Sequence, residues 1–365
     1  MSQTSQPNSD SQRVLADIDE FGGWSGVLGS LVGGIDLTPR ASGAALGSIL
    51  AGEATDAQIA GFIVALGMKG GTVPELTGMV DAMMASAAPL DVPAGAIDIV
   101  GSGGAPTRKR HALSVSTMAS IVASAGGASV CKHGSVKASS SSGAFDTLDA
   151  LGVAIGLDGE AVARCVREIG LGYAFAKAFH PAMRFAGPVR SELGVPTLFN
   201  FLGPLSHPGG VKRQVVGVSD PTMAPRVAGV LASRGSELAL VVHGEDGLDE
   251  ITTTDLTRIY EVRDGEVAAT VLFDPASIGV PEATADSLHG GSPEDNARIA
   301  GAMFAGEDVG PRRDIVALNA GAGLLVAGLV DDLGAGFEAA IAAIESGAAA
   351  EKLAAIQRLS SELSS

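Results

Sequence analysis

Ala96-Ile97-Asp98-Ile99-Val100-Gly101-Ser102-Gly103-Gly104 is a short apolar run that empties into glycines. A run of this length, closed by turn residues, reads as a buried strand opening an α/β unit. The glycines let backbone approach an anion closely, and clustered amides can cradle phosphate; a merely tight loop is the equal alternative. Outward from this stretch, further strands are expected at Ala128-Ser129-Val130-Cys131, Arg213-Gln214-Val215-Val216-Gly217-Val218, Leu238-Ala239-Leu240-Val241-Val242 and Ile315-Val316-Ala317-Leu318. Alanine-rich helical segments such as Met223 to Ser233 separate them, and strands alternating with helices imply a mainly parallel sheet covered on both faces. Residues 251–275 read as an antiparallel excursion around Arg258-Ile259-Tyr260-Glu261-Val262, turning at Asp264-Gly265.

Upstream, the pattern from Val14 to about Ala88 is helical throughout. Ala45, Leu46, Ile49 and Leu50 recur at helical spacing, Thr55 or Asp56 can cap the helix of Ile59, Phe62, Ile63 and Leu66, and Pro74 lies just inside another. The C-terminus, from Gly336 to about Leu359, is again helical. The expected fold is therefore α/β: a small helical N-terminal domain plus a larger α/β domain with a mainly parallel central sheet. The expected partition is a flexible tail over 1–13, a helical domain over 14–90 joined by helices from about 160–192, and an α/β domain over 91–365.

The 365 residues suit two domains, and 46% hydrophobic with 18% charged residues suits a globular enzyme. No apolar stretch reaches the ~18 residues of a membrane span. The polar start, MSQTSQPNSDSQR, lacks the apolar centre of a secretory signal. Two cysteines, Cys131 and Cys165, do not make a disulfide framework, so the cytoplasm is the expected compartment. A net charge of −17 argues against general affinity for nucleic acid or membranes. A local basic cluster, Arg108-Lys109-Arg110-His111, can still meet an anion.

Three more segments carry chemistry. Ser116 and Thr117 open the apolar helix Met118 to Ala125, where hydroxyls and first-turn amides favour phosphate, although N-capping explains them equally. Lys132-His133-Gly134-Ser135 follows a strand and precedes Ser139-Ser140-Ser141-Ser142-Gly143; together they make a pyrophosphate clamp or a solvated serine loop. Val241-Val242-His243-Gly244-Glu245-Asp246-Gly247-Leu248-Asp249-Glu250 ends a strand in carboxylates, and Asp249 with Glu250 can hold Mg²⁺, a hard ion commonly shared with substrate phosphates. In so acidic a chain, surface carboxylates are the bland reading of that pair.

In this order, the segments resemble those of the anthranilate phosphoribosyltransferase family. The resemblance runs from about Ile35 to the C-terminus and includes Gly52-Glu53-Ala54-Thr55 with Gln58, Phe62, Ala65-Leu66 and Lys69-Gly70. Its most specific part is Pro188-Val189-Arg190-Ser191-Glu192-Leu193-Gly194, continuing through Thr197-Leu198-Phe199-Asn200 to Leu202-Gly203-Pro204-Leu205. The resemblance implies Mg²⁺-dependent transfer of phosphoribose from phosphoribosyl pyrophosphate (PRPP) to an aromatic amine such as anthranilate, releasing pyrophosphate, in a homodimer. It assigns the donor site to Gly101, Ser102, Gly103, Gly104, Ser114, Ser116, Thr117, Lys132, Ser139 and Ser140. The metal falls to Ser116, Asp249 and Glu250, and the acceptor site to His133, Ser135, His180 and Arg190, whose guanidinium suits a carboxylate.

The chain departs from the family pattern inside these motifs. Ala105 replaces an aspartate, Ser114 an asparagine, and Ser135-Val136 an Asn-Arg pair; Met183 stands where an aromatic residue is common. The loop carrying Arg108, Lys109 and Arg110 is about three residues longer than the family's. These changes open two alternatives: a divergent glycosyltransferase of the same fold with another sugar donor or acceptor, or a non-catalytic relative binding nucleic acid through the basic loop.

Overall fold

Thr38, Thr55 and Thr72 each stand before an apolar-periodic run, and each caps a helix with its hydroxyl. In this computed structural model, which describes residues 16–103, 113–136 and 143–364, the chain opens with helices α1 (Gly23–Val32), α2 (Pro39–Ala51), α3 (Asp56–Lys69) and α4 (Val73–Ala85). Strand β1 (Ile97–Gly101) leads through α5 (Val115–Ala125), β2 (Val130–Gly134), α6 (Ala144–Ala150) and α7 (Gly159–Ile169) to β3 (Leu171–Phe175). Short helices α8 (Ala176–Phe179), α9 (Gly187–Leu193) and α10 (Phe199–Leu205) precede β4 (Arg213–Gly217), α11 (Ala224–Ser233) and β5 (Leu238–Gly244). Strands β6 (Thr257–Arg263) and β7 (Glu266–Phe273) are followed by α12 (Pro293–Phe304), α13 (Pro311–Val326), α14 (Leu333–Glu345) and α15 (Ala348–Leu363).

The described residues form two compact units. One holds those up to Ala87 with Ala182–Leu198; the other holds Ala88–Pro181 and everything from Phe199 onward. In the helical unit, Thr55 with Gln58 and Thr72 with Glu75 form reciprocal capping boxes. Glu75 is fully buried, and its carboxylate also accepts from the Leu37 N–H at 2.8 Å and from Lys69 Nζ at 2.9 Å. Such a charge is tolerated inside because every oxygen has partners. The tail expected over residues 1–13 lies outside the described residues.

The α/β unit is built on a seven-stranded sheet in the order β3-β2-β1-β4-β5-β6-β7. Its first five strands are parallel, and the β6–β7 hairpin is antiparallel, as the Asp264-Gly265 turn suggests. Asp264 takes a positive φ there, ahead of the glycine. Ile97, Ile99, Val130 and Val215 join the core with the inner sides of α5 and α13.

One local expectation needs correction, one gains detail, and one strand goes unread in the sequence. Ile315-Val316-Ala317-Leu318 is not a strand but the middle of α13, a helix buried on nearly every side. A helix without an exposed face loses its 3.6-residue signature, so four apolar residues in a row imitate a buried strand. The C-terminal helical stretch is two helices, broken at Gly347, which takes a positive φ. Strand β3, Leu171-Gly172-Tyr173-Ala174-Phe175, was not anticipated; glycine inside a five-residue run weakens any strand signal. No helix among the described residues is long and apolar enough to cross a membrane.

Candidate active site

After β1 the chain adds β2 and β3 on one side, then crosses to place β4 on the other. That reversal opens a crevice at the carboxyl ends of β1 and β4, where ligands of open α/β sheets bind. Gly101 and Gly217 end the two strands side by side in register. Both are glycines for a visible steric reason: the segment carrying Asp249 folds directly over them. A Cβ on Gly101 would lie 2.4 Å from Asp249 Oδ2, and one on Gly217 would lie 1.7 Å from the Asp249 carbonyl oxygen.

The glycine turn grips this segment. The Gly103 N–H donates to Asp249 Oδ2 at 2.8 Å, and the Ser102 N–H donates to the Gly217 carbonyl at 2.8 Å. Ser219, just beyond β4, donates its hydroxyl to the Gly103 carbonyl at 3.0 Å. The amides of Ser102 and Gly103 are thus engaged within the protein, so the turn serves here to seat Asp249 rather than to present those two donors to a phosphate.

Further side chains pin the carboxylate segment from both ends. Asp246 accepts from the Leu248 N–H and from the Thr252 and Thr254 hydroxyls. From α13, Asn319 accepts the Ile251 N–H at 3.0 Å and donates to the Ile251 carbonyl at 2.8 Å, as a neighbouring strand would. Asp249 and Glu250 are consequently held almost out of solvent, at 4% and 6% exposure. Adjacent buried carboxylates are hard oxygen donors, the set Mg²⁺ takes. Among the described residues no group of three or more His, Cys, Asp or Glu is arranged to hold a metal. An ion bound here would therefore complete its shell with water and substrate phosphate, the habit of Mg²⁺ in phosphoryl sites.

Beside this pair, Lys132 on β2 is buried to 1% exposure and donates to the Ile99 carbonyl at 2.5 Å and to Ser116 Oγ at 3.1 Å. Burial pushes the Lys132 ammonium down from its ordinary value, while Asp98 and Asp249 act to hold its charge. Burial pushes the Asp98 carboxyl up, and Lys132 opposes that shift. Ser116 and Thr117 occupy the first turn of α5, and no side chain caps this helix. Capping therefore does not account for them, and the positive end of α5 opens toward the Lys132 contact. Ser114 is taken up structurally, its hydroxyl 2.7 Å from that of Thr147 and its N–H donated to Asn296 Oδ1.

His133, the next residue of β2, meets His180 and His207 edge-on, with ring centroids 5.3 and 5.7 Å away. Each outer ring is anchored by backbone, His180 Nε2 to the Ser206 carbonyl and His207 Nε2 to the Cys131 carbonyl, both at 2.8 Å. His207 Nδ1 also accepts the Gly209 N–H, so its single proton must be on Nε2 and the ring is neutral. Ser135 is exposed at the end of β2. Arg190 belongs to α9 in the helical unit, where burial lowers its guanidinium from the ordinary value. Gly104, Ala105, Arg108, Lys109, Arg110, Ser139 and Ser140 lie outside the described residues. Both cysteines are free and buried.

Comparison with known proteins gives this geometry a lineage. Residues 26–87 match the glycosyl transferase family helical bundle domain, and residues 94–350 match the glycosyl transferase family a/b domain. An anthranilate phosphoribosyltransferase of Nocardioides sp. is 48% identical over 335 residues, spanning 90% of this chain and 96% of that protein. The chain belongs to the anthranilate phosphoribosyltransferase family. The crystal structure of the Thermus thermophilus member is 38% identical with a TM-score of 0.85, covering 92% of this chain and 99% of that one. The Saccharomyces cerevisiae anthranilate phosphoribosyltransferase, solved in complex with PRPP and Mg, is 27% identical with a TM-score of 0.79, covering 89% of this chain and 92% of that one.

Several residues that shape the site carry no motif in the sequence. Asp98 read as part of a strand, although a carboxylate in a buried strand was itself a signal. His207, ahead of Pro208-Gly209-Gly210, and Asn319, the residue after the Ile315–Leu318 run, drew no reading from the sequence.

The histidine cluster makes stability depend on acid. Burial holds His207 down at about 4, and burial with the neighbouring imidazoles pushes His133 well below its ordinary range; His180 is lowered by burial too. Each protonates more readily in the unfolded chain, so the stability it contributes is full above pH ~6.5 and is lost as pH falls through its folded-state value, about 4 for His207. For His207 alone the loss between pH 7.5 and pH 5 is about 2 kcal/mol. Urea unfolding at the two pH values checks this: His207→Asn should flatten the dependence, and an unchanged slope would remove His207 from it.

Proposed function

We infer that this chain transfers the phosphoribosyl group of PRPP to the amine of anthranilate and releases pyrophosphate, with Mg²⁺ as cofactor. The observation that carries the reading is the meeting, at one crevice, of the buried Asp249–Glu250 pair, the uncapped start of α5 and the buried Lys132. Anionic donor and divalent ion need these three elements together. The substrates named for the relatives complete the assignment.

The roles follow from charge. Bond cleavage leaves negative charge on pyrophosphate while the ribose becomes oxocarbenium-like. Groups fixed in advance against the developing negative charge lower the barrier because they need not reorganise. Lys132 and the first turn of α5, with the Ser116 hydroxyl, supply that fixed positive potential. Asp249 and Glu250 would hold Mg²⁺, which when bound neutralises charge on the departing pyrophosphate. Gly101 and Gly103 keep the crevice open beside them. His133 and His180, as neutral rings, suit an aromatic acceptor whose attacking amine must remain unprotonated. Arg190 keeps its assignment to carboxylate recognition on the chemistry of its guanidinium.

We also propose a cytoplasmic homodimer. The exposed Val32, Ile35 and Met68 of the helical unit are apolar surface of the kind an assembly covers. The test of function is fluorescence-monitored loss of anthranilate in PRPP and Mg²⁺, with pyrophosphate followed in parallel. Equal rates of loss and release, both abolished by chelation, are expected. Folded protein that leaves anthranilate untouched would overturn the assignment in favour of another donor or acceptor.

A further inference from the structure

The ladder between β1 and β2 stops after a single bridge, Ile97 with Val130. The flanking ladders, β1 with β4 and β2 with β3, run through five residue pairs each. At this register a regular parallel ladder would continue by joining Ile99 N–H to the Cys131 carbonyl and His133 N–H to the Ile99 carbonyl. Neither bond forms. Instead the Ile99 carbonyl accepts Lys132 Nζ at 2.5 Å, the His133 N–H donates to Asp98 Oδ1 at 3.1 Å, and the Cys131 carbonyl accepts His207 Nε2–H at 2.8 Å. Three side chains replace the backbone partners that a closed ladder would supply, as buried backbone groups require.

The replacements are themselves nearly inaccessible, with Asp98 at 0%, Lys132 at 1% and His207 at 3% exposure. Burying a carboxylate, an ammonium and an imidazole inside an apolar sheet is a poor route to stability compared with two more ladder bonds. The opening instead has a geometric product. It spreads the carboxyl ends of β1 and β2 and delivers the Lys132 ammonium to Ser116 at the start of α5.

We propose that Asp98 is a positioning residue of this active site, wedging β1 from β2 so that Lys132 stands beside Ser116 and His133 is fixed at its place on β2. The inference rests on the reading that Lys132 and Ser116 meet the donor's phosphates and that His133 meets the acceptor. Without an acceptor at position 98, His133 N–H is free to take the Ile99 carbonyl. The strands then close by one step, and Lys132 loses the anchor that aims it.

Two substitutions separate positioning from mere structure. Asp98→Asn keeps an oxygen for the His133 N–H but removes the charge that faces Lys132. Its KM for PRPP should rise about 10-fold, while its KM for anthranilate stays within about 2-fold of wild type. Asp98→Ala removes both contacts, and kcat/KM should fall about 100-fold for both substrates, the scale of a misplaced catalytic frame. Circular dichroism and urea midpoints show whether each variant is folded; if Asp98→Ala is not, the split in Asp98→Asn decides. Unchanged constants in folded Asp98→Asn, or equal rises in both KM values, would overturn the proposal. Calorimetric titration with inorganic pyrophosphate and Mg²⁺ reads the same effect without turnover. Should wild-type protein bind pyrophosphate yet fail to consume anthranilate, the acceptor reading falls while this test still stands: affinity weakened about 10-fold in Asp98→Asn supports the wedge, and equal affinity refutes it.

Discussion

Replacing Asp249 and Glu250 together with alanine is expected to abolish Mg²⁺-dependent turnover in a chain that still folds. The expectation has two halves, and each has its own physical basis. The loss follows because these are the buried carboxylates at the crevice, and because hard oxygen donors of this kind are what Mg²⁺ needs from protein. With both gone, an ion could reach the site only through substrate phosphates and water, and a fall of roughly 10³-fold or more in kcat/KM is expected from the loss of charge stabilisation. Folding survives because the segment is held by other residues: Asp246 through the Leu248 N–H and two threonine hydroxyls, and Asn319 through both backbone groups of Ile251. The double substitution does orphan the Gly103 N–H, which now donates to Asp249 Oδ2, at a cost of about 1–3 kcal/mol. That is partly offset by removing two charges from a buried setting. Pyrophosphate release measured across a Mg²⁺ titration, alongside direct Mn²⁺ binding and a urea unfolding curve, distinguishes the halves. A folded variant that retains a tenth of wild-type activity or binds Mn²⁺ as before would sink the metal assignment.

How far the sequence could lead depends on whether a feature is local. The strand that empties into Gly101-Ser102-Gly103 is legible because its whole signal lies in a few consecutive residues, and the α/β class follows from repeats of that alternation. The cap of α3 at Thr55 and the start of α4 beside Pro74 are legible for the same reason. Ile315–Leu318 fails because burial, not periodicity, fixes its composition; the helix start at Gly310-Pro311 was the better signal. The candidate site's motifs lie along the sequence, but its contacts do not. Nothing near Gly217 in sequence says that it must be glycine; the reason is Asp249, more than thirty residues on, whose backbone covers it. Likewise, the residue types at Ser116 and Thr117 fit either capping or phosphate, and only the structure shows that no side chain caps α5 and that Thr117 is buried with its hydroxyl donated to the Ala144 carbonyl. Asp98, His207 and Asn319 work by replacing backbone partners across strands and helices, and such a role leaves no pattern along the chain.

Gly217→Ala should be among the most damaging single-methyl changes in this protein. Gly217 does not have a positive φ, so its backbone suits alanine; the obstacle is space alone. The new Cβ would lie 1.7 Å from the Asp249 carbonyl oxygen and 2.5 Å from its carbonyl carbon, separations that no side-chain rotation can relieve. Either β4 leaves its register beside β1, or the Asp249 segment lifts away. The segment is the weaker partner, since β4 is bonded along both edges, yet Asp246 and Asn319 resist its movement. Overpacking of this kind costs about 1–3 kcal/mol, and a shift of about 1 Å in the carboxylates should cost roughly 100-fold in kcat/KM. Gly101→Ala makes an informative contrast, because its Cβ would collide with the Asp249 carboxylate, at 2.4 Å from Oδ2 and 3.2 Å from Cγ, while the nearest backbone atom is 3.5 Å away. It should therefore be the milder change for stability while still disturbing the Asp249 carboxylate. Gly301→Ala, in α12 with nothing within 4 Å of the added carbon, should be neutral or stabilising by up to ~1 kcal/mol through helix propensity. Urea midpoints and Mg²⁺-dependent kinetics of the three variants would rank them. Should Gly217→Ala match Gly301→Ala in both measurements, the Asp249 segment would not be fixed over the strand ends, and the geometry on which the active site is built would have to be abandoned.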